Sequence, residues 1–256
     1  MQPEAFTIEI LLILYFAISI GTAIQISTGI GLGLFSGPAL LLYLPPNSAI
    51  LISICLNILL SIPLAFQERE EILWSILKLL TFGVFIGIPL GWLAIQLLDK
   101  EILQLMMAAV ILFVAYLLLK LRSSTSARQI KPSQRTTFAG GGVAGFMSGC
   151  LAIPGPVAMW TLLQQGYAAQ EVRATMRILY IFAYGTAFLF HTALNKNLVS
   201  DVHLLGQLFP ALLIGGVAGG VAKKYFTENQ MQKCLLLLLF LTAFSLILKS
   251  TLKGLI

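Results

Sequence analysis

Charge is scarce in this 256-residue chain. Asp, Glu, Lys and Arg together make up 10% of it, hydrophobic types make up 58%, and the mean hydropathy is +0.93. A water-soluble domain of this length needs far more charge to cover its surface, so the bilayer is the solvent. Acidic residues number 10 in all, and none lies in residues 10–67, a stretch that also lacks Lys, Arg and His. Histidine occurs twice, and no Glu-x-x-His or Gly-x-Ser-x-Gly pattern is present. A membrane-embedded hydrolase would need such a base, nucleophile or metal cluster, so an enzyme is not the reading. The three cysteines, Cys55, Cys150 and Cys234, lie in apolar segments without paired spacing, which fits neither a disulfide framework nor a zinc site. The first ten residues contain acids and no basic residue, unlike a cleaved signal peptide.

What the chain has instead is a series of long uncharged runs. After residues 10–67 come 79–98, 102–119 and 136–170, then 178–195 and 202–222 with one histidine each, and finally 234–248. Each is long enough for at least most of a helical membrane span of about 20 residues. The net charge of +6 comes from lysines and arginines between these runs, where anionic lipid and the positive-inside rule favour them, so nucleic acid is not among the partners.

A basic, serine-rich segment, "KLRSSTSARQIKPSQR" at 120–135, divides the chain. Either side of it the same order of events recurs. A Gly-rich apolar stretch with a Gly-Pro step (Gly37-Pro38, then Gly155-Pro156) leads to an apolar run, a polar turn and further long hydrophobic segments. We read residues 1–119 and 136–256 as two membrane repeats joined by a cytoplasmic linker. Repeats of this kind place a substrate site at their interface.

Each opening segment is too long for one straight pass and short for two. Bent spans would give parallel repeats; hairpins returning to their own side would give inverted ones. The hairpin topology gathers Arg69, Lys78, the linker charges, Arg173, Arg177, Lys223, Lys224 and Lys233 on one side, leaving Lys100, Lys196, Lys249 and Lys253 on the other. It segregates charge better. The expected fold is therefore an all-α polytopic membrane protein of two inverted repeats, each a broken, re-entrant helical hairpin followed by three transmembrane helices, with the N-terminus outside.

The helix breakers are the leading functional signal. Free backbone groups at membrane depth persist only where protein or a water-filled cavity satisfies them. "CLAIPGP" and "GIGLGLFSGP" read as two hairpin tips whose following helices aim N–H groups and a positive dipole end inward, which favours an anion. Close packing of small residues is the competing explanation. Gly31, Gly33, Ser148, Gly149 and Gly155 are the tip candidates, with Ser36 behind them; Ser27 and Thr28 are further hydroxyls. Arg173 and Arg177 in "EVRATMR" share one helix face and offer forked donors to oxyanions, or alternatively anchor in cytoplasmic headgroups. The first repeat has Ile50 and Ile54 at the corresponding places. Gln25 and Asn57 are read as helix-bridging polar groups, Trp160 as a packing residue, and His191 and His203 as flanking a turn at the outer interface.

With these motifs in view, the chain resembles the sulfite exporter family, TauE/SafE, over nearly its whole length. The carriers are "GIGLG" (29–33), "PPNSA" (45–49), Ser148-Gly149, Gly155-Pro156 and Arg173-Ala174-Thr175. Ala152-Ile153-Pro154 departs from the glycines usual in the family before the second Gly-Pro. The resemblance implies movement of small sulfur-containing anions, sulfite or sulfonates, across a bacterial cytoplasmic membrane without a cofactor or metal. A carboxylate or other anion, or a non-transporting assembly role, remains the alternative. The implied partners are the anion, the bilayer and a second copy of the chain as a homodimer.

Overall fold

Backbone groups in lipid must bond within their own segment, so uncharged Leu- and Ile-rich runs become helices. The computed structural model describes residues 8–66, 71–123, 132–193, 198–225 and 227–253. The centre of the linker with Ser126 and Arg128, the turn holding Arg69, and Asn195-Lys196 lie outside these residues. Every regular element among those described is helical, with no strand. In order they are α1 (Ile8–Thr28), α2 (Leu32–Tyr43), α3 (Pro46–Ala65), α4 (Trp74–Leu97), α5 (Lys100–Ser123), α6 (Gln134–Leu151), α7 (Gly155–Gln164), α8 (Ala169–Ala193), α9 (Leu198–Tyr225) and α10 (Glu228–Lys253). Helices α5 and α6 both extend into the span 120–135 read as linker. Among the described residues, five stretches are long and apolar enough to cross a bilayer: Ile8–Thr28, Pro46–Ala65, Trp74–Leu97, Lys100–Lys120 and Asp201–Ala222. Large apolar side chains such as Phe16, Phe82, Leu90 and Val217 point outward, as lipid-facing residues do.

Both Gly-rich stretches are breaks between helices. Helix α2 folds back on α1: a Cβ placed on Gly21 would lie 3.2 Å from that of Phe35, although a continuous helix would put those residues about 21 Å apart. Helix α7 returns along α6 in the same way. Thr137 and Gln165 exchange side-chain hydrogen bonds at 3.1–3.2 Å, and Ser133 N–H donates to Gln165 Oε1 at 2.9 Å.

Two extensive contacts join the halves crosswise: α4 packs on α6, and α1 packs on α9. Each pair runs in one direction. Tyr15 donates to the Gln207 carbonyl and Ser19 to that of Ala211. Gly83, Gly87 and Gly91 successively approach Phe138, Gly142 and Phe146. The remaining long helices pair with their counterparts, α3 with α8 and α5 with α10. Small residues every four positions make this closeness possible, Gly83/Gly87/Gly91 facing Gly141/Gly145/Gly149 and Gly215/Gly219 facing Ser19 and Ala23.

Candidate functional site

Because the first hairpin rises along α9 and the second along α4, their tips come together. At the first, Gly29 takes the left-handed conformation (φ 87°) that lets the chain reverse. Gln25 reaches across the break: its Oε1 accepts from Leu32 N–H at 2.8 Å, capping α2 where Gly31 has no side chain to do so. Leu34 N–H bonds to the Gly31 carbonyl at 2.9 Å. At the second tip α6 ends on Ala152, also left-handed (φ 56°), and Pro154 precedes α7. An alanine here costs about 1–2 kcal/mol more than glycine, so packing around it must hold it.

That packing is the first tip. A Cβ on Gly33 would sit 2.6 Å from the Ala152 carbonyl oxygen, so the backbones touch. From α8, Tyr180 donates to the Gly29 carbonyl at 3.0 Å and Tyr184 to that of Ala152 at 3.3 Å, one tyrosine for each tip. Gln25, Ile30, Gly31, Gly33, Gly155, Tyr180 and Tyr184 surround a space of about 10 Å³, which admits roughly one water. The tips are shut against each other.

Of the residues singled out from sequence, Gly31, Gly33 and Gly155 meet here. Ser36 is buried between α2 and α3, bonded to Ser53 at 2.8 Å. Gly149 packs α6 on α4, where a Cβ would lie 2.4 Å from the Ile88 carbonyl oxygen. Ser148 is buried and its hydroxyl has no hydrogen-bond partner among the described residues. The two arginines part company. Arg177 is 6% exposed and donates to the Leu64 carbonyl at the end of α3. Arg173 lines a separate cavity of about 150 Å³ beside the first tip. His191, expected at the outer interface, is instead buried, donating from Nε2 to the Gly149 carbonyl at 2.8 Å, because the break needs its last carbonyls satisfied. His203 is exposed and pairs with Gln207. Trp160 packs edge-on against Phe113 at 6.2 Å.

The sequence reading ranked Gln25 low and missed Tyr180 and Tyr184. The signal was available: 177, 180 and 184 continue one face of α8 at helical spacing.

The family model for sulfite exporter TauE/SafE matches residues 13–246. The chain belongs to the TauE/SafE family. No curated protein and no solved structure matches. TauE/SafE membership and the apolar helices together make this an integral, multi-pass membrane protein of a sulfite-exporter-type transporter family. The TauE/SafE match takes in both broken helices, so the paired tips lie inside the family's own span.

Proposed function

We propose that the protein exports small sulfur-containing anions, sulfite or sulfonates, across a bacterial cytoplasmic membrane, binding them between the two tips. The observation that carries this is the meeting of Gly31 and Gly33 with Gly155 around a space of about 10 Å³, at the junction of the halves. In this reading the halves are inverted repeats, one hairpin entering from each face. The parallel courses of α1 with α9 and α4 with α6 support it, since a first hairpin and a later span then start from the same side. First-turn N–H groups of α2 and α7 would hold the oxyanion, the Tyr180 and Tyr184 hydroxyls would turn to it from the Gly29 and Ala152 carbonyls as the tips part, and the Ser148 hydroxyl is a further donor within α6. Gly149 and Ser36 support the tips by packing; Arg177 braces α8 on α3. With only about one water's room present, the tips must separate to admit an anion. A rocking of one repeat against the other provides that opening.

Purified protein in liposomes, screened for flux of sulfite, thiosulfate, sulfonates and small carboxylates, tests the reading. Flux of sulfur oxyanions is expected, lost in Gly33→Ala, whose Cβ must push against the Ala152 carbonyl. Absence of flux for every sulfur anion would remove it, and flux of carboxylates alone would reassign the cargo.

A further inference from the structure

We infer that the Arg173 cavity is a second anion site, a vestibule on the linker side from which cargo reaches the tips past Ile30. This inference rests on the transport reading above for its purpose, but its geometry stands separately. The cavity, about 150 Å³, is lined by Thr28 and Ile30 of the first tip, Leu118 of α5, Met159 of α7, Arg173 of α8 and Leu235 of α10. It therefore sits at the end of the molecule where α5 finishes and α6 begins. Its volume suits an ion of sulfite or sulfonate size, whereas the tip space does not.

Arg173 is placed to receive such an ion. Its aliphatic stem lies against Gly29, the Cγ being 3.2 Å from where a Cβ would stand. Among the described residues its guanidinium makes no hydrogen bond or ion pair, in contrast to Arg177 one turn on. A guanidinium in an apolar-walled cavity without a carboxylate partner is an anion receptor by its chemistry.

Ile30 is the barrier. It lines both the vestibule and the tip space and is itself buried. Thr28 fixes it, its Oγ1 lying 2.7 Å from the Ile30 carbonyl and 3.4 Å from its amide. The opposite end has a larger cavity, about 420 Å³ between α3, α8 and α9, but its lining is apolar with Asp201 as the charged residue, which does not suit an anion. There the carbonyls ending α2 are taken by cations and an amide. Lys249 donates to Leu42 O at 2.6 Å, Lys100 to Leu44 O at 2.7 Å and Gln104 to Leu41 O at 3.4 Å. Ile50, which corresponds to Arg173, is fully buried. The linker side thus pairs a cavity with a cation facing it, whereas the cavity at the other end is lined by an acid.

The test uses purified protein in lipid nanodiscs, reacted with thiol reagents at single cysteines, counting labelling above that of the unsubstituted chain. At Leu163→Cys in the vestibule, anionic sulfonatoethyl methanethiosulfonate should react faster than its trimethylammonium analogue, and methanesulfonate should slow it. In Arg173→Gln the anionic reagent should slow about fivefold, the factor expected from one charge at a few ångströms in a water-like medium. Arg173→Lys should keep the preference. Ile153→Cys at the tips should stay unlabelled until Ile30→Ala is added. Equal rates for the two reagents, or an unchanged preference in Arg173→Gln, would overturn the vestibule. Labelling of Ile153→Cys with Ile30 in place, or none after its removal, would overturn the barrier. Charge selection without flux in liposomes would leave the vestibule standing and remove the transport reading; flux without charge selection would do the reverse.

Discussion

Two arginines four positions apart look equivalent on a helical wheel, yet they sit in different surroundings. Arg177 is buried with its charge directed at the C-terminal carbonyls of α3, where a helix dipole favours a cation. Arg173 faces a cavity. Arg177→Gln should therefore lower thermal stability by about 2 kcal/mol, the worth of a charged hydrogen bond in a buried setting. Its effect on flux should track the amount of folded protein. A thermal-shift measurement beside flux per folded molecule checks this, and lost flux at unchanged stability would return Arg177 to the site. The sequence singled out "EVRATMR" but could not tell its two arginines apart, because which of them meets a carbonyl depends on where α3 ends. Tyr180 and Tyr184 escaped notice for a similar reason: tyrosine is ordinary in membrane helices, and only the tips give these two their meaning.

Among the elements, the glycine-lined pair of α4 and α6 sets how near the second tip is held. A Cβ on Gly87 would fall 2.0 Å from the Gly142 carbonyl oxygen, backbone that cannot yield without the helices separating. Gly87→Ala should cost about 1–3 kcal/mol, as overpacking does elsewhere, and reduce folded yield. Gly142→Ala, whose nearest neighbour would be 3.9 Å away, should be tolerated. Urea or thermal unfolding of the two variants distinguishes them; equal behaviour would mean the contact is looser than it stands here. This explains why Gly149 was read as a binding residue. Gly-x-x-x-Gly spacing runs through 83–91 and 141–149, but a glycine near a proline break carries both meanings until its facing helix is known. The breaks themselves were legible, since Pro154 and the run of glycines at 29–33 cannot continue a helix in lipid.

At the level of the whole molecule, helical class, membrane residence and the family were plain from composition and motif order. The crosswise pairing of halves was not, because periodicity within one helix says nothing about which distant helix it meets. The proposed inverted arrangement assigns a side to each loop. Cysteine at Asp99, exposed between α4 and α5, should react with an impermeant reagent added outside cells, and cysteine at Ser126 only after permeabilisation. Reactivity from the same side at both positions would reject the arrangement.

The narrowness of the space between the tips has a bearing on the cell that makes this protein. Protons hop along files of hydrogen-bonded water, and a gap holding roughly a single molecule, stoppered by an isoleucine, interrupts any such file. Idle copies would not short-circuit the electrochemical gradient that powers the membrane. That gradient is itself useful to an outward-bound anion, which gains about 2.3 kcal/mol per charge for every 100 mV of inside-negative potential. By keeping the membrane tight at rest, the constriction would preserve the very potential that drives the anion's release.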